Sequence, residues 1–149
     1  MKRVAYRLIP AIRDDAGIAA VEFALVLPIL CAALLGIMDG WSYVTSSMSM
    51  RAGVKTAANM VMAGTADDSA TQAAALASWE KRPDDGQVTL SRIYMCGTTV
   101  VDASTLCSGP KAPSVYVQIQ ASATWVPPFT FGVFSAPSAI GHLEVIRVR

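Results

Sequence analysis

The sequence is poor in the side chains that carry out chemistry. Its 149 residues include one histidine, His142, and three cysteines, Cys31, Cys96 and Cys107. Charged residues make up 15% of the chain, against roughly 25% in an ordinary soluble domain. There is no glycine-rich phosphate loop, no metal-ligand spacing and no nucleophile-and-base set. His142 alone supplies too few nitrogens to complete a zinc site with Cys96 and Cys107, and it reads as a strand residue facing solvent. The acidic pairs Asp67/Asp68 and Asp84/Asp85 read as a helix start and a turn rather than as a cation site. No catalytic residue, metal, cofactor or small-molecule substrate is expected. The formal net charge of +1, with no basic stripe, also speaks against a nucleic-acid partner.

What the chain does contain is apolar residues, at 53%, concentrated in one long run. From Ala16 to Met38 only Glu22 interrupts small and apolar side chains. Taken as a helix, Ile18 to Met38 extends about 31 Å at 1.5 Å per residue, matching a hydrocarbon core of about 30 Å. A secretory signal would have a shorter apolar region followed by a small-residue cleavage site, and no such site is evident before Asp39. Lys2, Arg3, Arg7 and Arg13 precede the run and only Asp14 and Asp15 oppose them. The positive-inside rule therefore places the N-terminus in the cytoplasm and everything after Asp39 outside. Within the run, Pro28 reads as a kink of the kind spanning helices tolerate. Gly36 and Gly40 form a small-xxx-small pair that suits close helix packing.

Glu22 is the residue that needs a reason. An ionised acid at the centre of a span costs about 2.5–3.5 kcal/mol on insertion scales, and less near the edge. Snorkelling toward the cytoplasmic headgroups is one answer. The neighbouring residues suggest another: a short basic leader ends at Gly17, followed by Ile18-Ala19-Ala20-Val21-Glu22-Phe23. A cut after Gly17 would make Ile18 a new N-terminus bearing an α-ammonium, with Glu22 one helical turn further on. Two such charges on stacked helices can neutralise each other, the condition under which a buried acid becomes tolerable.

The stretch from Gly17 through Ile18, Glu22 and Phe23 to Leu30 resembles the N-terminus of TadE-like proteins, pilin-like (pseudopilin) components of the Tad tight-adherence apparatus that builds Flp pili. The resemblance continues through Leu35-Gly36-Ile37-Met38-Asp39-Gly40, where that family commonly has a glycine and an acid at the outer end of the span. The resemblance covers about the first third of the chain. It implies cleavage by a dedicated prepilin peptidase, retention in the bacterial inner membrane, and a part in pilus biogenesis and adhesion rather than catalysis. The implied partners are that peptidase, other pilins and pseudopilins, and the Tad membrane platform. The competing reading is an uncleaved bitopic membrane protein that scaffolds or senses an envelope complex.

Beyond the span, Trp41 and Tyr43 fit an interfacial aromatic belt. Trp41, Val44, Met48 and Ala52 recur at helical spacing and predict a packing stripe on a helix that continues to Ala63. Gly64 is a stop signal. Asp67, Asp68 and Ser69 open a second, Ala-rich helix that ends before Pro83, and Asp84-Asp85-Gly86 is a turn. Val115 to Trp125 alternates with period 2 and predicts a strand with one buried face. Val88–Cys96 and Gly141–Val148 are also strand-like, with slips that suggest bulges, and Pro127 to Pro137 forms a loop. The expected organisation is a leader (1–17), a spanning helix with its extension (18–63), and a small α+β module outside the cytoplasm (64–149), a helix over about three antiparallel strands. Cys96 and Cys107 suit a disulfide in an oxidising compartment, two free cytosolic thiols being the alternative.

Overall fold

Between Asp15 and Met62 only Pro28 opposes a helix, and the chain forms one α-helix, α1 (Asp15–Met62), of 48 residues, about 72 Å long. The computed structural model describes residues 15–129 and 136–148. Most of the expected leader, and part of the loop expected at 127–137, therefore lie outside the described residues. Helix α1 ends at Gly64, whose φ of +91° is open to a residue without a Cβ. The Gly64 and Thr65 amides donate to the carbonyls of Val61 and Met60, at 3.0 and 3.1 Å. This is the paired hydrogen bonding of a Schellman cap.

Helix α2 (Asp68–Ser78) starts at its N-cap, Asp67, whose carboxylate accepts the Ser69 and Ala70 amides at 2.9 and 3.0 Å. Four strands follow: β1 (Gln87–Cys96), β2 (Thr99–Val101), β3 (Ser114–Trp125) and β4 (Ser138–Arg147). They form one antiparallel sheet in the order β2-β1-β3-β4. The architecture is α+β, as expected, with one strand more than the three anticipated. The extra strand, β2, pairs back on β1 across the two-residue turn Gly97-Thr98, where Gly97 has φ +67°.

Alternation along β3 puts Val117, Ile119, Ala121, Ala123 and Trp125 on the buried face. Val88 joins from β1 and Ile140 from β4. Helix α1 lies across β3 and β4, and α2 packs on α1 and β1. The core continues into α1 through Met50, Val54, Ala57, Ala58 and Val61, so the last three turns of the long helix are also the principal helix of the module.

Two expectations change here. The stripe Trp41, Val44, Met48 and Ala52 does not pack: all four are exposed. The covered stripe runs instead through Met50, Val54, Ala57, Ala58 and Val61, itself at helical spacing, so periodicity offered two stripes to choose between. The face is selected by small residues. A Cβ added at Gly53 would lie 2.7 Å from the Ala75 carbonyl oxygen of α2, so α2 can sit that close only against a glycine.

The expected bulges are also absent. Pairing is unbroken from Gln87↔Ser122 to Met95↔Ser114 and from Tyr116↔Arg147 to Trp125↔Ser138. The apparent slip in β4 comes from His142 and Glu144, which pair with Ala121 and Ile119 and therefore share the helix-facing side. Both are half-buried at the sheet margin, and Glu144 meets Lys55 of α1 at 2.9 Å. His142 thus faces the helices rather than solvent.

Candidate functional site

The first described turns of α1 carry Gly17, Ile18, Glu22 and Phe23. All four are exposed, and a Cβ at Gly17 would meet nothing within 4 Å. Glu22 lies four positions after Ile18, a rise of about 6 Å that puts both on one face. Glu22 forms no ion pair among the described residues. The apolar stretch around it is not covered by any other described part of the chain. Among the described residues one helix is thus long and apolar enough to cross a membrane, with a carboxylate near the end that begins at Gly17. Pro28 lies inside this helix, where its missing N–H leaves the Ala24 carbonyl without its usual donor. Gly36 and Gly40 follow one turn apart, and a Cβ at Gly40 would meet nothing within 4 Å.

At the other end of the apolar run the arrangement reverses. Asp39, the first acid after Glu22, is fully buried. Its Oδ1 accepts the Phe129 amide at 3.1 Å, while Oδ2 has no hydrogen-bond partner among the described residues. One turn on, the Trp125 Nε1–H donates to Ser42 Oγ at 3.3 Å. The Trp125 ring also meets Tyr43 edge-on, with centroids 5.3 Å apart. The end of β3 is therefore held against α1 between Asp39 and Tyr43, where the apolar run gives way to the module. Sequence reasoning placed an acid here only through a family resemblance and had no means of finding its partner, which lies 90 residues away.

Cys96 and Cys107 are joined as a disulfide with Cα atoms 5.4 Å apart. The Cys107 amide also donates to the Lys111 carbonyl at 2.9 Å, so the bridge fastens the β2–β3 connection to the β1–β2 hairpin. Closing a loop of this size contributes on the order of 3 kcal/mol in the chain-entropy account. Cys31 is a free thiol on the exposed apolar helix. Among the described residues no three of His, Cys, Asp and Glu converge as a metal site would require.

Two electrostatic contacts shape the module. The Ala70 amide, the Ser69 hydroxyl and the Ser69 amide donate to the Asp67 carboxylate and hold its pKa below the ordinary 3.8. Arg92 of β1 pairs with Asp68 of α2; this hydrogen bond raises the guanidinium pKa above its usual value and ties the second helix to the sheet.

No curated protein and no solved structure matches this chain. The family model described as TadE-like protein matches residues 17–59, from the glycine before Ile18 to the last turn but one of α1 and under a third of the chain. That family takes part in Tad pilus assembly and is not a family of enzymes. Residues 17–59 of this chain are thus similar to the TadE-like family, the same family that the Gly17–Leu30 sequence resembles.

Proposed function

We propose that this chain is a pilin-like component of the Tad apparatus, cut by a prepilin peptidase after Gly17 and held in the inner membrane by the helix that follows. On this reading residues 1–17 are a cytoplasmic leader, 18–63 the spanning helix and its extension, and 64–149 a module outside the cytoplasm. The observation that carries the reading is Glu22, an exposed acid in the otherwise apolar stretch Ala16–Met38, one turn after the Gly17–Ile18 bond. An unpaired carboxylate in hydrocarbon is costly. The α-ammonium created at Ile18 by the cut supplies a charge of opposite sign at the right height on a neighbouring subunit. Gly17, without a side chain, lets a protease approach the backbone on its N-terminal side. Gly36 and Gly40 give the outer half of the helix a surface on which another helix can pack closely. Partners are then the peptidase, other pilins and pseudopilins, and the membrane platform of the machine, acting together in pilus biogenesis and adhesion.

Replacing Glu22 tests the charge-pairing role separately from processing. In cells, Glu22→Ala is expected to leave the chain processed and in the membrane but to stop its incorporation into the assembly. Normal piliation with Glu22→Ala would remove the charge-pairing argument.

A further inference from the structure

Where α1 leaves the membrane, the chain has an acid that lipid should not touch, and the module covers it. The apolar run ends at Met38, and Asp39 is the next residue. In a helix whose span of about 30 Å ends there, the side chain of Asp39 lies at the boundary between hydrocarbon and headgroups. It is 0% exposed, although its neighbours Met38 and Trp41 are 56% and 70% exposed. The segment after β3 reaches it, through the Phe129 amide at 3.1 Å, and the Trp125–Ser42 and Trp125–Tyr43 contacts hold that segment in place. Any segment touching Asp39 must lie at the depth of Asp39. On that placement residues 126–129, which directly follow the end of β3, lie at the membrane surface. The side chains the segment turns outward there are apolar: Val126 is 62% exposed, Pro128 is also exposed, and Val126 lines the same open groove as Trp41.

We infer that Val126, Pro128 and Trp41 form a lipid-contacting collar, seating the base of the module in the outer headgroup layer of the membrane that α1 crosses. The inference rests on the reading of α1 as a spanning helix. Its occupant is the lipid surface, because Trp41 follows directly on the exposed apolar stretch that ends at Met38; the groove it shares with Val126 is also lined by Glu80 and Lys81, side chains suited to the charged headgroup layer rather than to hydrocarbon. Trp41 supplies an amphipathic ring of the kind enriched at this depth. The hydrogen bond to Asp39 does two things: it shelters the carboxylate from lipid, and it fixes the height of the collar. With its base seated this way, the module has a set distance from the membrane instead of swinging on a bare stalk.

The test uses the full chain carrying Cys31→Ala, reconstituted in phosphatidylcholine vesicles and labelled with an environment-sensitive fluorophore at a single new cysteine. Four positions are compared: Val126→Cys and Pro128→Cys at the collar, Gln120→Cys on the outer sheet face, and Leu30→Cys within the span. Brominated lipids quench by depth. The collar labels should lose most of their emission to bromines near the ester carbonyls and little to bromines near the chain ends. The Leu30 label should show the reverse preference, and the Gln120 label should be insensitive to both. If both collar labels behave like the Gln120 label while the Leu30 label is quenched, the collar is wrong and the span stands. If the Leu30 label also escapes quenching, the membrane reading fails and the collar fails with it.

Discussion

The fully buried carboxylate of Asp39 accepts the half-buried backbone amide of Phe129 across 90 residues of sequence, at 3.1 Å. This hydrogen bond joins the end of the apolar run to the far end of the longest strand. A partly buried amide that loses its acceptor bears part of that desolvation cost, on the order of 1 kcal/mol. Asp39→Ala should therefore lower the unfolding midpoint of the detergent-solubilised protein. Asp39→Asn keeps a carbonyl oxygen at the acceptor position and should recover most of the loss. Equal losses in the two variants would show that charge, not the hydrogen bond to Phe129, is what matters there.

Glycines 53 and 40 sit on the same helix and should respond in opposite directions to the same change. In Gly53→Ala the new methyl meets the Ala75 carbonyl at 2.7 Å and the Trp79 Cβ at 3.2 Å. The two helices must then separate, at a cost of about 1–3 kcal/mol, which outweighs the gain of up to about 1 kcal/mol in helix propensity. Gly40→Ala meets nothing within 4 Å and should leave the isolated chain as stable or slightly more so. If the Gly36–Gly40 surface packs against another subunit, Gly40→Ala should nonetheless impair assembly. Thermal unfolding of the two variants, alongside a piliation assay, separates the two roles.

The start of α2 should report on acid. Asp67 has its pKa held below 3.8 by the Ala70 amide, the Ser69 hydroxyl and the Ser69 amide. A carboxyl that is more acidic folded than unfolded stabilises the fold above the unfolded pKa, and that contribution disappears as pH falls through the folded value. The difference in unfolding midpoint between the native chain and Asp67→Ala should be full at pH 7 and should shrink only below about pH 3.8. A difference that stays constant down to strong acid would assign the cap's effect to backbone geometry rather than to charge.

The parts of the fold that were legible are those whose signal is local. The apolar run from Ala16 to Met38 declares its own length, Gly64 and Asp67 are local cap signals, and β3 alternates without a break. What was not legible depends on partners distant in sequence. Two stripes of the α1 extension have helical spacing, and the approach of Ala75 to Gly53 decides that the one through Met50, Val54 and Val61 is covered. Strand β2 is three residues long and largely exposed, so it has no alternation to read. The outward and inward residues of β4 are confused in sequence because Glu144 and His142 point toward the helices at the sheet margin. At the site, Glu22 stands out because an acid in an apolar run is conspicuous by itself. The burial of Asp39 by residues beyond β3 has no counterpart in the sequence near it.

The central claim is that proteolysis gives Glu22 its positive partner, and the mature N-terminus decides it. Protein extracted from the membranes of cells with the intact pilus machinery should begin at Ile18, with a mass lacking Met1 to Gly17. Protein from the same cells that still begins at Met1 would contradict the claim, leaving an anchored protein whose carboxylate needs a different explanation.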